Sequence, residues 1–525
     1  MTFSNEQTFF KYVKQGKEKL FDQKYDYATK LISSQFGQIY PLIIDNKKIT
    51  TENVSEVISP IDSRISLGKV QKCTSNNTID AINCAEKAFK SWGSLDYKTR
   101  VKLFTKIANV MRSKKFELTA LMTYENGKNR LEAMADVDEA IDFILYYCDQ
   151  LKRNNGFIND TNSNNKREHN KSVMKPYGVW AIISPFNFPV AILVGMSVGA
   201  LITGNTVLIK PSSLTPIVGY KIIEIMIENG LPPGVVNYIT GNSEEIGKTI
   251  VENPKISGIA FTGSKETGHK LMQQSIMIKP KPIIAELGGK NPTIVTENAN
   301  INMAASGVMQ AAFSYSGQKC SACSRIYVQN DIKEKFISSL VEKTKSIKVG
   351  NPLYSQTYMG PVINSESYSR YIKYMKLVQK YGKVLLGGSI KKDNELKFGY
   401  YVEPTIIKVD EKNTDHIHFK QELFLPILCV FGYEKFSDAI KKCNSSEYGL
   451  TAGLYSKNKS EINEFLTSIE SGVVYVNRPH SSTTGAMVGC QSFGGWKDSG
   501  TTGKGSGGPY YLTQFMREQN QTIIQ

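Results

Sequence analysis

The sequence lacks the features that mark membrane-spanning, secreted and repeat proteins. No stretch of its 525 residues combines the length of a membrane span with freedom from charges and breakers, since the most apolar run, residues 183–204, contains two Pro and three Gly. The first residues are polar and have no apolar signal-peptide core, and no internal repeat is visible. We therefore expect a cytoplasmic protein without a membrane partner, whose eight Cys are reduced thiols.

Charge of one sign is never concentrated in a tail, although the total is basic. The 64 Lys and Arg outnumber the 48 Asp and Glu, which gives a net charge of +16. A basic surface can attract nucleic acid, acidic lipid or small anions, but lysines scattered along a chain are also typical of an ordinary solvated surface. Because these lysines are scattered, we expect no nucleic-acid partner.

The length and the order of apolar patterns predict an α/β protein with more than one domain. A chain of 525 residues is too long for one ordinary core, and a hydrophobic content of 41% is typical of globular proteins. From residue 172 short apolar runs alternate with amphipathic helical patterns, and a second such series runs from 283 to about 475. This alternation predicts parallel sheets with crossover helices.

The first third of the chain has helical patterns and one polar segment. Apolar spacing predicts a helix that begins at an N-cap Thr78, a longer helix over residues 97–128, and a third from residue 132. The Asn-rich segment 154–171 shows no periodicity, so it is either a surface hairpin or flap, or a disordered loop.

The motif GQKCSACSR contains Cys320 and Cys323 with two residues between them, which leaves several chemical interpretations. A zinc site wants four ligands, but the other Cys form no second pair and the only close His pair is His416 and His418. A thioredoxin-like redox pair needs a much smaller domain. An inert buried thiol is the plain alternative for any single Cys. We predict no metal site.

Residues upstream offer the helpers that a nucleophilic thiol needs. Glu286 ends an apolar strand before two Gly, and Asn187 lies in the Pro-bracketed turn SPFNFP. Lys210 ends the strand of NTVLIKPS, and Ser264 opens a helix after a strand, where a helix N-terminus can face a pyrophosphate. Each has a plain alternative as a strand-end, turn or surface residue. Together they supply a base, an oxyanion donor and a nucleotide site.

These residues lie in motifs that resemble the aldehyde dehydrogenase superfamily over residues 40–520. The motifs are SPFNFP, GNTVLIKPS, LPPGVVNYITG, IAFTGS, ELGGKNP, GQKCSACSR, QELFLPI, YGLTAGLYS and SFGGWKDSG. The resemblance implies that Cys320 attacks an aldehyde, that Asn187 holds the oxyanion, and that Glu286 activates the water that hydrolyses the thioester. It leaves Cys323 as a neighbour in a helix turn, one that could form a disulfide under oxidation.

The same resemblance implies a nicotinamide cofactor. Its expected ligands are Ser184, Phe186, Lys210, Ser213, Gly263, Ser264, Gly288, Glu422 and Phe424. Many members that prefer NAD have Glu three residues after the lysine, where this chain has Ser213. Serine does not repel a 2′-phosphate, so NAD is expected while NADP use stays open.

Within the superfamily the motifs most resemble the 1-pyrroline-5-carboxylate dehydrogenases, which oxidise glutamate γ-semialdehyde to glutamate in proline catabolism. The alternatives are a dehydrogenase of another semialdehyde or aliphatic aldehyde, a CoA-acylating enzyme, and an inactive binding scaffold. Hydroxyl and backbone donors would hold the substrate carboxylate, two aromatic rings would enclose its aliphatic part, and a helical Asp would meet its ammonium. The expected residues, in that order, are Ser321, Gly485, Ala486, Phe188, Phe493 and Asp136.

The resemblance also divides the chain. Residues 1–148 and 172–286 are expected to form the Rossmann-type NAD(P)-binding domain, and residues 287–478 the catalytic domain. The small β oligomerisation flap, the anchor loop and the C-terminal tail are expected in residues 149–171 and 479–525, so a homo-oligomer, a dimer or higher, is predicted. The length leaves no room for a proline dehydrogenase module beside these domains, which predicts a monofunctional enzyme.

Overall fold

The computed structural model describes residues 3–278, 280–413, 416, 419–479 and 487–525. Its strands, in chain order, are β1 (Gln38–Tyr40), β2 (Leu42–Ile44), β3 (Lys47–Ile49), β4 (Val54–Ile58), β5 (Ser66–Gln71), β6 (Ile158–Thr161), β7 (Glu168–Pro176), β8 (Val179–Ile183), β9 (Thr206–Lys210), β10 (Val236–Tyr238), β11 (Ile256–Thr262), β12 (Ile283–Glu286), β13 (Asn291–Val295), β14 (Cys323–Gln329), β15 (Gly382–Leu386), β16 (Thr405–Val409), β17 (Ile427–Tyr433), β18 (Tyr448–Gly449), β19 (Thr451–Tyr455), β20 (Val473–Val476), β21 (Trp496–Lys497) and β22 (Met516–Ile524). Its α-helices are α1 (Thr8–Lys14), α2 (Glu18–Ser33), α3 (Ser75–Trp92), α4 (Tyr97–Ser113), α5 (Lys115–Asn126), α6 (Arg130–Arg153), α7 (Ala191–Ile202), α8 (Pro216–Glu228), α9 (Ser243–Glu252), α10 (Lys265–Ile278), α11 (Ile301–Phe313), α12 (Lys333–Lys345), α13 (Ser365–Val378), α14 (Phe436–Asn444) and α15 (Lys459–Ser468).

The first large sheet has the order β12-β11-β8-β9-β10-β2-β3. The strands from β12 to β10 pair in parallel, and β2 and β3 are added in antiparallel fashion at one edge. Side chains of β8 alternate between two cores: Val179 and Ala181 face one buried cluster, and Trp180 and Ile182 face the other. A parallel sheet covered on both faces needs apolar residues at every position, which explains why these strands read as continuous apolar runs.

The second large sheet has the order β15-β16-β17-β14-β13-β19-β20. All of its pairs are parallel except β15 with β16. Alternate residues of β17 again face two buried clusters, with Cys429 and Phe431 on one side and Leu428 and Val430 on the other. The predicted α/β fold class is confirmed. The predicted domain boundaries stay a prediction.

The segment 154–171 forms part of a small sheet of order β22-β7-β6. β6 and β7 make an antiparallel hairpin, and β7 pairs with the C-terminal β22 from Met516 opposite Pro176 to Ile524 opposite Glu168. Of the two interpretations that the sequence left open, the structure has the hairpin. Its role in oligomerisation stays a prediction.

Several element boundaries differ from those predicted. Thr74, not Thr78, caps α3, because its hydroxyl accepts from the Asn77 amide at 3.2 Å. The long helix expected over 97–128 is interrupted at Lys114, where α4 ends and α5 begins. Within the part of the chain that the structure describes, no helix combines the length and apolar character that a membrane crossing requires.

Candidate active site

Cys320 lies in a strained connection between α11 and β14. The turn before it has three successive residues with left-handed backbone, Tyr315 (φ 48°), Ser316 (φ 54°) and Gly317 (φ 67°). A Cβ on Gly317 would lie 2.4 Å from the Leu425 carbonyl oxygen, so only glycine fits there. Backbone strain of this kind persists only where surrounding structure enforces it. The turn therefore holds the Cys320 loop in one shape.

A side chain that the sequence analysis did not single out fixes the backbone of this loop. The Asn291 Nδ2 donates to the carbonyl oxygens of Cys320, at 2.7 Å, and of Ala322, at 3.0 Å. Asn291 is itself buried, and its Oδ1 accepts from the Thr451 amide at 3.0 Å. These bonds fix the carbonyl groups of Cys320 and Ala322, the residues on both sides of Ser321.

The Cys320 thiol lies in an environment that disfavours its charged form. Burial raises its pKa well above the usual range, and the carboxylates of Glu422 and Glu286 raise it further. The backbone amides of Ser321 and of Cys320 itself lower this pKa. The thiol is therefore protonated at neutral pH in the protein by itself, and its two amide donors are in place to stabilise negative charge.

Glu286 lies at the carboxyl end of β12, with its backbone paired to Thr262 of β11. Burial raises its pKa to about 8, although a hydrogen bond from the Gly495 backbone lowers it. Its Oε2 is buried and has no hydrogen-bond partner among the described residues. A carboxyl group with a pKa near neutrality can both accept and release a proton. A Cβ on Gly289, three residues after Glu286, would lie 2.5 Å from the Cys320 carbonyl oxygen, so the chain that follows β12 packs directly against the Cys320 loop.

Asn187 reaches the same loop from the turn between β8 and α7. Its Nδ2 donates to the carbonyl oxygen of Gln318 at 3.2 Å, two residues before Cys320, and the side chain is buried. Because an amide nitrogen carries two hydrogens, one remains available to a ligand. The structure thus brings the three predicted catalytic side chains, Cys320, Glu286 and Asn187, to one region.

The predicted cofactor residues at the end of β9 include a buried cation. Lys210 is 4% exposed, burial lowers its pKa to about 8, and its Nζ donates only to the Pro211 carbonyl oxygen at 3.3 Å among the bonds of the described residues. Ser184 of the neighbouring strand end has a buried Oγ without a partner in the described part of the chain, while Ser213 is exposed. A buried ammonium at one strand end and a buried hydroxyl without a described partner at the next suit a polar ligand such as a ribose.

The turn from β11 to α10 presents the predicted pyrophosphate ligand. Ser264 is exposed, and its Oγ accepts from the Thr267 amide at 3.3 Å, so it caps α10. The backbone amide of Gly263 donates to the Glu286 carbonyl oxygen at 3.1 Å, which ties this turn to the end of β12. The first amides of a 14-residue helix are well placed to meet an anion.

The predicted nicotinamide side of the site packs tightly. Glu422 Oε1 accepts from the Gly289 amide at 2.8 Å, and burial raises the pKa of Glu422 to about 7. A Cβ on Gly288 would lie 2.2 Å from Glu422 Oε2, so the carboxylate needs glycine there. Phe424 has left-handed φ of 57° and its ring lies edge-on to Phe186, with centroids 5.7 Å apart.

The predicted substrate residues are only partly described. Phe188 lies in the Asn187 turn and Ser321 is buried beside Cys320. Phe493 is half-buried, and its amide donates to the Ser506 carbonyl oxygen at 3.0 Å. Gly485 and Ala486 lie outside the described residues. The expected anchor for the substrate carboxylate therefore stays a prediction.

The structure corrects the prediction for Asp136. Both of its oxygens already have donors: Oδ2 pairs with Lys128 Nζ at 2.7 Å, and Oδ1 accepts from the Ala191 amide at 2.6 Å. Asp136 and Lys128 are both fully buried, and the Lys128 Nζ lies 3.7 Å from the ring centroid of Phe188. Asp136 is thus neither a solvated helical charge nor an available ligand for an ammonium group.

Two further carboxylates of α6 were missed. Glu132, Asp136 and Glu139 share one helix face, and Glu132 Oε2 accepts from the Tyr315 amide at 3.1 Å. Burial, with the charge of Asp136, raises the pKa of Glu139 to about 8. The spacing of three carboxylates on one face was visible in the sequence and could have indicated that the face meets a polar site.

The second cysteine of the motif faces away from this chemistry. Cys323 is the first residue of β14 and not part of a helix turn, and its thiol lies 3.3 Å from Thr293 Oγ1 inside a buried cluster. All eight cysteines are free thiols. The structure gives no support to a disulfide between Cys320 and Cys323.

Comparison with known proteins agrees with this arrangement. The model of the aldehyde dehydrogenase family matches residues 47–520. A 1-pyrroline-5-carboxylate dehydrogenase of Geobacillus sp. (strain WCH70) is 37% identical over 499 residues, 94% of each protein. The 1-pyrroline-5-carboxylate dehydrogenase from Thermus with bound NAD has a TM-score of 0.92 at 34% identity, covering 100% of this chain and 99% of that one.

Proline utilization A (PutA) from Bdellovibrio bacteriovorus, inactivated by N-propargylglycine, has a TM-score of 0.93 at 33% identity. The match covers 100% of this chain and 53% of that protein, so the chain spans about half of its length. The sequence motifs, the two α/β sheets and a family match over nearly the whole length agree. The chain belongs to the aldehyde dehydrogenase family.

Proposed function

We propose that this chain is an NAD-dependent 1-pyrroline-5-carboxylate dehydrogenase, which oxidises glutamate γ-semialdehyde to glutamate through a thioester on Cys320. The observation that carries this proposal is the relative of that name, which is 37% identical over 94% of both proteins, so that the similarity extends over both sheets and not over one domain. The geometry of the Cys320 region supplies the chemistry.

The residues at the end of β9 fit NAD. Lys210 is a buried ammonium with a single carbonyl partner among the described residues, and Ser184 Oγ is buried without any there. Both are polar groups whose burial is costly until a ligand meets them. We assign Lys210, Ser184 and Ser213 to the adenosine ribose region, Ser264 to the pyrophosphate, and the Glu422 carboxylate to the other ribose. NAD, when bound, accepts the hydride that leaves the substrate.

Cys320 forms the covalent bond. Its thiol gives a proton to water, the sulfur adds to the aldehyde carbon, and the carbonyl oxygen becomes an oxyanion. The oxyanion accepts from two donors, the second hydrogen of Asn187 Nδ2 and the backbone amide of Cys320. The amide belongs to the loop that carries the thiol, and Asn187 is hydrogen-bonded to that loop. Loss of hydride from the same carbon leaves the thioester.

Glu286 releases the product. Its carboxylate takes a proton from water, the hydroxide oxygen adds to the thioester carbon, and the Cys320 sulfur leaves and regains a proton. The pKa of about 8 makes Glu286 a stronger base than an exposed carboxylate. Its Oε2, which has no partner among the described residues, is the atom that we assign to the water.

We propose Glu139 in place of Asp136 as the carboxylate that meets the substrate ammonium. Glu139 is half-buried, lies on the Asp136 face of α6, and has a pKa raised to about 8 by burial, so it gains from a cationic partner. Phe188 and Phe493 would enclose the aliphatic part of the substrate, while Ser321, Gly485 and Ala486 would hold its α-carboxylate.

The remaining assignments rest on the family and on the flap. We propose a cytoplasmic homo-oligomer in which the sheet β22-β7-β6 contributes to the contact between subunits. β6 is an edge strand of four exposed residues, and Ile523 and Ile524 of β22 are 52% and 74% exposed. Exposed apolar ends on a narrow sheet are suited to burial against a partner.

The test compares aldehydes under one NAD reduction assay. Glutamate γ-semialdehyde is expected to have a kcat/KM at least 100-fold above that of a simple aliphatic aldehyde of similar length. Equal rates for both aldehydes would reject the substrate and favour another semialdehyde or aliphatic aldehyde.

The Glu139 assignment has its own variant in the same assay. Glu139→Gln is expected to raise KM for glutamate γ-semialdehyde and to leave the simple aldehyde unaffected. The matched control is Asp149→Asn, which removes a carboxylate from the same helix, where it pairs with Arg153 at 2.7 Å, and should change neither aldehyde. An unchanged KM in Glu139→Gln would reject this carboxylate as the ammonium ligand.

A further inference from the structure

Two helices that follow site loops begin without a capping side chain of their own. Thr and Asn side chains cap α3, α6, α9, α11, α13 and α15 from the residue before each helix. α7 and α8 have no such bond, although α7 follows the turn of Asn187 and α8 follows Lys210. The first amides of a helix need acceptors from somewhere.

Buried carboxylates from α5 and α6 provide those acceptors. Glu125 Oε1 accepts from the Ile217 amide at 2.6 Å, and Oε2 accepts from the Val218 amide at 2.9 Å. Since α8 starts with Pro216, which has no N–H, these are its first two donors. At α7, Asp136 Oδ1 accepts from the Ala191 amide at 2.6 Å.

Both carboxylates are connected through one corner of the chain. The corner comprises residues 125–128, the end of α5 and the two residues after it, so it contains Glu125. Asp136 lies in α6 and is joined to the corner by its ion pair with Lys128 at 2.7 Å. Asn126 Nδ2 donates to the Phe186 carbonyl oxygen at 3.3 Å, and its own backbone carbonyl accepts from the Tyr315 hydroxyl at 3.1 Å. A single short segment thus contacts the Asn187 turn, the nucleophile turn and the start of α8.

We propose that residues 125–128 and Asp136 form a brace that positions two site loops separately: Glu125 positions the cofactor loop after Lys210, and Asp136 positions the oxyanion loop that carries Asn187. Each loop is held at one end by a strand of the first sheet and at the other by a helix start, so the buried carboxylate determines where the second end lies. The inference rests on the proposed function, because it concerns loops assigned to cofactor and oxyanion.

The two carboxylates of the brace, Glu125 and Asp136, are expected to affect different quantities, NADH affinity and kcat. Glu125→Ala is expected to weaken NADH binding at least fivefold, measured by fluorescence titration without substrate, and to change kcat at saturating NAD less than twofold. Glu125→Gln keeps one acceptor oxygen and is expected to lie between Glu125→Ala and the native protein. If the alanine variant does not fold, Glu125→Gln provides the same test.

Asp136 is tested with its charge partner removed. The double variants Lys128→Met/Asp136→Asn and Lys128→Met/Asp136→Leu both lack the ion pair, but only the first keeps an acceptor for the Ala191 amide. The leucine form is expected to have a kcat at least fivefold below the asparagine form, with an NADH dissociation constant within twofold of it. Asn458→Ala, which removes the cap of α15 on the second sheet, is the stability control.

The outcomes separate the brace from a merely structural role. Selective loss of cofactor affinity in the Glu125 variants and of kcat in the Asp136 pair supports it. Joint loss of both quantities in proportion to melting temperature, or no loss in either, overturns it. If the native protein binds NADH but does not oxidise glutamate γ-semialdehyde, the proposed substrate fails, and the same comparison is made with whichever aldehyde the native protein oxidises.

Discussion

Replacement of Glu286 by Gln tests whether Cys320 forms the thioester and Glu286 is needed only to hydrolyse it. The variant keeps the size of the side chain but removes the group that accepts a proton from water. The expected result is that the thioester on Cys320 still forms and then persists, because its hydrolysis has lost its base. NADH should then appear as a burst of about one equivalent per active site, followed by a steady rate about 100-fold or more below that of the native protein.

The magnitude for the native protein follows from the pKa of about 8 that burial gives Glu286. A base acts only when ionised, so the ionised fraction is about 0.1 at pH 7 and about 0.9 at pH 9, as a titration near pH 8 requires. Hydrolysis of the thioester should therefore rise about tenfold between these pH values. An exposed carboxylate with a pKa of about 4.3 would give no rise in this range.

Rapid-quench mass spectrometry measures both results. The Glu286→Gln protein, quenched during turnover, should carry the acyl group on Cys320, and single-turnover hydrolysis should lose the rise with pH. A control with Glu297→Gln, on the loop after β13, should keep the native profile. An unchanged pH dependence in the Glu286 variant, or an adduct on another side chain, would refute the reasoning.

Three further predictions concern the neighbours of that reaction. Asn187→Ala should lower kcat about 100-fold or more with little change in KM for NAD, as measured in steady state, because an oxyanion donor is lost. Cys320→Ser should abolish NADH formation, whereas Cys323→Ala should keep it and lower the free energy of unfolding by about 1–2 kcal/mol, since the Cys323 thiol is buried in the core. Ser213→Glu should lower kcat/KM for NADP at least tenfold and leave NAD within threefold, because a carboxylate repels the 2′-phosphate; equal changes for the two cofactors would contradict the assignment.

Much of the fold was predictable because parallel strands buried on both faces have a plain sequence signature. The runs ending at Lys210 and Glu286 are largely apolar, and in each the charged residue stands at the carboxyl end of its strand. That pattern places the charged residue at the edge of the sheet where α/β proteins bind ligands. The motif around Cys320 then completed the site by resemblance to the family.

Boundaries of helices were less predictable, for a local reason. Thr74 and Thr78 are both suitable caps four residues apart, and only the reciprocal bonds with Asn77 select Thr74. No Pro or Gly marks the interruption at Lys114. Both helices pack on α6 and α8, but α4 also packs on α7 and α5 on α2. Such choices depend on tertiary contacts and not on propensity.

By itself, the sequence determined the chemical groups and their order along the chain: a thiol, a carboxylate and an amide, each at the end of a recognisable element. Only the tertiary structure decided which charges remain available. Asp136 was a candidate ligand in the sequence, but its oxygens bind Lys128 and an amide of α7, 55 residues further along the chain. The physical reason is that a buried carboxylate takes its partners from whatever packs against it, and no local pattern records contacts between residues so far apart.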